Sequence, residues 1–286
     1  MSLTALALII TAALAHSTWN LLAKKAAACR HLIWFACSAG FFILLAPTIW
    51  ILQSDWHKLG WKAAAFLLAT GILHLFYFAS LQKGYQSGDL SVVYPLARGT
   101  GPLLSFGGAV LVLHEHPTVL AVLGALLVVA GIMMLSGVRS LLRAGNARKG
   151  VFWGALTGVL IACYTIVDGY SVKVLLLSPI LVDFAETLFR AAVLTPAAWM
   201  DWPRVRTEFH TYWKYALGIA VLTPTGYILV LFAMKIAPVS HIAPAREMSM
   251  MIGAYFGSKV LDEGHLVRRM VASALIAGGI FGLVLG

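Results

Sequence analysis

Charge is scarce in this chain: only 11% of its 286 residues are Asp, Glu, Lys or Arg, against roughly a quarter in an ordinary soluble domain. That scarcity excludes a soluble globular enzyme. Acidic residues are the rarer sign, 11 against 21 Lys and Arg. Cysteine occurs three times, as Cys29, Cys37 and Cys163, scattered and without a C-x-x-C spacing, so these read as core or lipid-facing thiols rather than metal ligands or disulfides. No G-x-x-x-x-G-K-[S/T] phosphate loop occurs, which removes an ATP-driven motor. No cofactor or metal is expected.

What the chain has instead is apolar residues, 60% of the total, with a mean hydropathy of +0.88. They cannot all be hidden in one compact core, so most of the surface must face lipid. Apolar runs near 20 residues, enough to cross about 30 Å at 1.5 Å per residue, recur along the sequence. They fall at about Leu3–Ala23, Leu32–Leu52, Ala63–Leu81, Leu90–Leu113, Val119–Leu135, Val151–Tyr170, Ile180–Met200, Tyr215–Met234, Ser240–Val260 and Leu266–Leu285. The first lacks the basic residues that open a secretory signal and is expected to stay as a membrane helix. Membrane β-strands would alternate apolar and polar residues, and these runs do not. The expected fold is an all-α membrane protein of ten transmembrane helices, with nothing left for a soluble domain.

The net charge of +10 sits in short connections between these runs, which points to topological orientation rather than nucleic-acid binding. Connections after odd-numbered helices, counted with Lys259, Arg268 and Arg269 at the adjoining ends of the last two runs, carry 14 Lys and Arg and those after even-numbered helices 4, a bias that would put both termini outside. The longest connection, Ser136–Gly150, holds Arg139, Arg143, Arg148 and Lys149 near the chain midpoint. Residues 1–138 and 150–286 are therefore expected to form two five-helix repeats joined by a basic loop, 139–149. Sliding the sequence by 148 positions supports this, placing Ala97-Arg98 on Ala245-Arg246, Val112-Leu113 on Val260-Leu261, Glu115 on Glu263 and Gly131-Ile132 on Gly279-Ile280. An odd helix count per copy inverts the second copy, and such repeats place a site near the midplane between them.

The fourth run reads Tyr94-Pro95-Leu96-Ala97-Arg98-Gly99 and the ninth Ala243-Pro244-Ala245-Arg246-Glu247, while the first carries Trp19-Asn20 and Lys24. Over essentially its whole length the chain resembles the EamA-type branch of the drug/metabolite transporter superfamily, although Trp19-Asn20 departs from the usual Trp-Gly-x-Asn order of its opening motif. The resemblance implies a secondary transporter of small solutes in the plasma membrane, the inner membrane of a bacterium, and implies cytoplasmic termini. A single chain is sufficient for such a protein.

A charge near the bilayer centre costs at least about 2.5 to 3.5 kcal/mol, so His16, His74, Arg98, Asp168, Glu186, Arg190, Arg246 and Glu247 each need a reason. Arg98 and Arg246 lie roughly 12 and 9 Å into their runs at 1.5 Å per residue and should face the bundle interior. Their helical faces collect Gly101, Ser105 and Ala109, and Ser249, Gly253 and Gly257. Paired guanidiniums present planar donor forks to a carboxylate or phosphate, so an anionic or zwitterionic metabolite is expected. Otherwise the two arginines pair with Glu247, Asp168 or Glu186 and merely hold helices together.

Trp19, Asn20, Tyr77, Tyr94, Tyr164 and Tyr227 are candidate walls of the substrate site. Glu247, Asp168, Glu186 and His16 are candidate charge partners or carriers of a coupled proton; on a continuous helix Glu247 would point about 100° from Arg246. Glu186 and Arg190, four apart, read as a within-helix salt bridge with Asp183 one turn earlier. Glu115 and Glu263 read as helix caps. An intramembrane protease fails because His114-Glu115-His116 lacks the second histidine at the required spacing. A scaffold does not account for the repeat, and a flippase for a lipid-linked group is the alternative within the transport class.

Overall fold

The computed structural model of the chain describes residues 1–26, 28–87, 90–136, 147–252 and 266–286. Among them the regular elements are all helical: α1 (Leu3–Lys25), α2 (Leu32–Asp55), α3 (Trp61–Ser87), α4 (Leu90–Val112), α5 (Val119–Ser136), α6 (Ala147–Lys173), α7 (Pro179–Met200), α8 (Trp202–Ile236), α9 (Val239–Ala245) and α10 (Leu266–Leu285). Continuous apolar sequence dictates helices, because only a helix bonds every backbone group within its own segment away from water. Five stretches are long and apolar enough to cross a bilayer by themselves, namely Leu3–Ala23, Leu32–Lys58, Trp61–Gln86, Lys149–Lys173 and Trp202–Ile236. Leu96–Val112, Val119–Met134 and Met270–Leu285 are apolar and shorter, and α7 is interrupted by Asp183, Glu186 and Arg190.

Two expected boundaries move. Residues 201–214 read as a connection, yet α8 starts at Trp202 and runs 35 residues, with Pro203 in the first turn where no N–H is required. This extension carries Glu208, which accepts the backbone N–H groups of Arg30 and His31, both at 3.1 Å, and Arg204 Nε at 2.8 Å. A side chain on α8 thereby caps the start of α2. The second change is in the expected helix Ser240–Val260. α9 stops at Ala245, residues 246–247 form a turn, and helix resumes over 248–252. Pro244 has no N–H to offer the carbonyl of Ser240, which weakens the helix just before the turn. Gly253, Gly257 and Glu263, with the centre of the expected basic loop, lie outside the described residues.

α5 packs along α10, α4 along α6, α1 against α8 and α3 against α6. Several of these pairings are preserved when α1–α5 are exchanged with α6–α10: α1–α8 answers α3–α6, α2–α8 answers α3–α7, and α2–α7, α4–α9 and α5–α10 map onto themselves, whereas α4–α6 has no comparable counterpart among the described residues. At α5–α10 the backbones nearly touch. A Cβ on Gly124 would stand 2.6 Å from the Gly279 carbonyl oxygen, and one on Gly279 would stand 2.7 Å from Val128 N.

The terminal ammonium of Met1 donates to Val284 O at 2.7 Å, so both ends of the chain lie at one end of the bundle. Trp50, Trp56 and Trp61 are exposed at that end, and Trp199, Trp202 and Trp213 at the other. Between them the outer surface carries Phe42, Phe76, Leu111 and Phe281. An apolar waist between two aromatic girdles matches the polarity profile of a bilayer.

Candidate functional site

Small residues bring α4 deep into the bundle. A Cβ on Gly101 would stand 2.8 Å from Ile161 and one on Gly99 3.0 Å from the Met133 sulfur, so the backbone of α4 lies directly on α6 and α5. Arg98 extends from this helix to Glu247, its NH1 lying 3.4 and 3.3 Å from the two carboxylate oxygens. Arg246 reaches the same carboxylate through Nε at 3.4 Å and donates NH2 to the Tyr164 hydroxyl at 3.2 Å. Arg246 keeps helical dihedrals, φ −60° and ψ −21°, and the bonding tightens to i→i−3 through 246–247; Glu247 serves a partner on another helix, Arg98, while Arg246 Nε also reaches its carboxylate. The helical piece after the turn is held to α1 by the Ser17 hydroxyl, which donates to Ser249 O at 2.8 Å.

His16 adds a constraint of its own. Trp19 Nε1 lies 3.2 Å from His16 Nδ1, and Arg98 NH2 lies 3.2 Å from His16 Nε2. Indole and guanidinium N–H groups only donate, and a neutral imidazole accepts at one nitrogen alone. With either tautomer, one of these contacts sets donor against donor.

A second polar group forms where α3, α6, α7 and α8 meet. His74 Nδ1 donates to Thr70 O at 3.0 Å, while Nε2 lies 3.4 Å from Glu186 Oε2 and 4.0 Å from Asp168 Oδ2. Tyr227 donates its hydroxyl to Asp168, and Glu186 pairs with Arg190 one turn on. The His74 ring stacks on Tyr164, with centroids 4.0 Å apart, so the two groups share a wall.

Both groups border one cavity of about 1310 Å³, counting the part open at its mouth. Its lining begins at Ala12 in α1 and continues to Trp19, ends at Gly40 in α2, and runs from His74 to Leu81 in α3. The cavity therefore occupies the half of the bundle away from the termini. At the terminal end, Glu115 from the α4–α5 connection accepts the N–H groups of Val239 at 2.7 Å and Ser240 at 2.8 Å, and pairs with Lys173 at 2.8 Å. Lys173 also donates to Ala237 O at 3.0 Å. Burial pushes the Glu115 carboxyl up, but the Lys173 ammonium and the Ser240 and Val239 N–H groups outweigh it and hold the group below the usual carboxylate range. Glu115 is a cap, as its sequence position suggests, but of α9 rather than of the α5 that follows it.

Trp19, Tyr77, Tyr164, Tyr227, His16, Glu186, Arg98, Arg246 and Glu247 all line the cavity. Asp168 stands behind Tyr227. Asn20 does not join them: its amide donates to His16 O at 2.7 Å on an exposed face of α1, as expected for the residue one step beyond an inward-facing tryptophan. The Tyr94 side chain lies outside the described residues. Asp183, which spacing alone marks as a neighbour of the Glu186–Arg190 pair, and His74 also line the cavity; the sequence signal of each is an ionisable residue in an apolar run. Among the described residues no group of three or more His, Cys, Asp and Glu side chains is placed to hold a metal ion.

A model of the EamA-like transporter family matches residues 3–137 and again 148–285. A solved crystal structure superposes with a TM-score of 0.74 over 100% of this chain and 98% of its own, at 18% sequence identity; this likeness shows the fold alone. No curated protein matches. With the family's pattern running twice through nearly the whole chain, on an all-helical bundle with an apolar outer surface, this protein belongs to the EamA-like transporter family and is a multi-pass membrane transporter of small molecules, not an enzyme.

Proposed function

We propose that the transporter moves a small polar metabolite, anionic or zwitterionic, by alternating access at a site between two inverted five-helix repeats, 1–138 and 150–286, in the inner membrane of a bacterium. The observation that carries this reading is the meeting of Arg98 and Arg246, one from each repeat, at a single carboxylate on the cavity wall. Two guanidiniums converging on one carboxylate make this wall of the cavity rich in cationic donors, and a planar donor fork suits a carboxylate or phosphate. The arginines pair with Glu247, as the purely structural reading expects, but they also border open space, which that reading does not need.

A proton is the coupling ion we favour. His74 Nδ1 lies 3.0 Å from the Thr70 carbonyl and 3.2 Å from the Thr70 hydroxyl, and with the ring hydrogen on Nδ1 a proton shared between Nε2 and the Glu186 and Asp168 carboxylates would complete that contact. Glu115 and Lys173 supply the closed end opposite the cavity. Symmetric exchange of the two ends then gives the second state.

Purified protein in liposomes tests this. It should move a member of a panel of labelled carboxylates, amino acids and phosphates without nucleotide, faster under an imposed pH gradient, and Arg98→Ala should abolish the flux. ATP-dependent turnover, or undiminished flux in Arg98→Ala, would overturn the proposal.

A further inference from the structure

The cavity has a second charged face that the arginine pair leaves unexplained. Three arginines and three carboxylates line it: Arg98, Arg190, Arg246, Asp183, Glu186 and Glu247. With the histidines neutral their charges cancel, but they are segregated. Arg98 and Arg246 share Glu247, which leaves that pole positive. On α7, Arg190 is matched by Glu186 and Asp183 has no cation of its own among the described residues, so with both carboxylates ionised that pole is negative. The His74–Tyr164 stack separates them, touching Glu186 on one side and Arg246 on the other.

Asp183 is 2% exposed and, among the described residues, its Oδ2 has no hydrogen-bond partner. Thr223 Oγ1 on α8, also in the lining, has none either. A buried carboxylate oxygen without a donor is costly, and polar atoms left in this state call for a partner the fold does not supply. An ammonium group is such a partner: it donates in three directions and neutralises the excess charge.

We infer that Asp183, with Glu186 and Thr223, forms a second subsite that takes the cationic group of the substrate, which makes the substrate a zwitterion. Its acidic group lies at the arginine pair and its ammonium at Asp183, with the His74–Tyr164 stack between. This rests on the anion-binding role of Arg98 and Arg246. A simple anion gains nothing from the negative pole and is repelled by it. The titratable and charged groups around Asp183 are Glu186 and Arg190 on its own helix, His74 and Tyr77 on α3, Cys37 on α2, Tyr164 and Asp168 on α6 and Tyr227 on α8, and Arg190 is their one permanent cation.

Thermal unfolding of the purified full chain in detergent, with matched probes, tests the assignment, because a ligand raises apparent stability by mass action. Glycine, 4-aminobutyrate and 6-aminohexanoate would be compared with acetate, butyrate and hexanoate and with methylamine, butylamine and hexylamine. At least one amino carboxylate should stabilise the protein at lower concentration than both of its singly charged analogues. Asp183→Asn should remove that advantage, raising the apparent Kd for the amino carboxylate about tenfold or more, and should strengthen the response to simple carboxylates, which the lost charge no longer repels. Carboxylates acting as well as amino carboxylates would overturn the second subsite and spare the arginine reading. A carboxylate response that grows as pH falls, with no amino advantage, would mean that a proton occupies the pole, and overturns it too. Amines acting alone would overturn the arginine reading, and no response from any probe would overturn both. The probe series on the unmodified chain decides even if Asp183→Asn does not fold.

Discussion

Arg98 and Arg246, 148 positions apart in sequence, neutralise the same carboxylate, Glu247, which is 1% exposed. Removing one arginine leaves Glu247 a partner; removing both does not. Single Arg98→Ala and Arg246→Ala variants should therefore elute as folded, monodisperse protein while transport is lost. The double variant should lose about 3 to 5 kcal/mol and aggregate, and adding Glu247→Gln should restore its elution profile. Arg98→Lys should recover little transport, since an ammonium cannot reproduce the two-pronged fork.

Glu115 ties the α4–α5 connection to the start of α9. Glu115→Gln should lower stability by about 1 to 2 kcal/mol at neutral pH. The carboxyl is held below its ordinary value of 4.5, so its contribution is present above that pH and is lost as pH falls through the lowered value. Melting profiles of the two proteins should hence converge in acid. A gap that stays constant down to the acid limit would contradict this account.

The α5–α10 crossing has no room for a methyl group at Gly124 or Gly279. Either Gly→Ala change should push the backbones apart and destabilise by about 1 to 3 kcal/mol, seen as a lower melting midpoint. Gly107→Ala, where nothing lies within 4 Å, is the control and should leave the midpoint unchanged.

Cys29 lies in the α1–α2 connection. Burial and then the neighbouring Glu208 carboxylate push its thiol up to about 12, so almost no thiolate exists at neutral pH. In a Cys37→Ala, Cys163→Ala background, maleimide should label Cys29 slowly at pH 8, and Glu208→Gln should speed the reaction.

Helices and their apolar outer faces were legible because each follows from a run of one residue class. The arginine pair was legible as well, since Ala97-Arg98 and Ala245-Arg246 repeat at a fixed offset. What sequence could not give were relations between distant segments. Glu115 looks like the cap of its own neighbour, but its carboxylate finds α9, 124 positions away. Glu208 sits among polar residues that resemble a loop, and its role appears only once α2 is beside it. The turn at 246–247 hides in an apolar run whose one local mark is Pro244. Asp183 looks like part of an i, i+3 ladder with Glu186, and only packing reveals that one of its oxygens is left without a donor.

That turn has a mechanical meaning. Helical pieces joined by a turn bend more easily than one continuous helix. The outer piece, α9, is anchored by Glu115, and the inner piece by Ser17. The pivot between the anchors consists of Arg246 and Glu247 themselves. In the proposed alternating cycle, a swing of one piece about the other would separate or reunite the charges proposed to hold the solute, so the joint and the grip would be a single device.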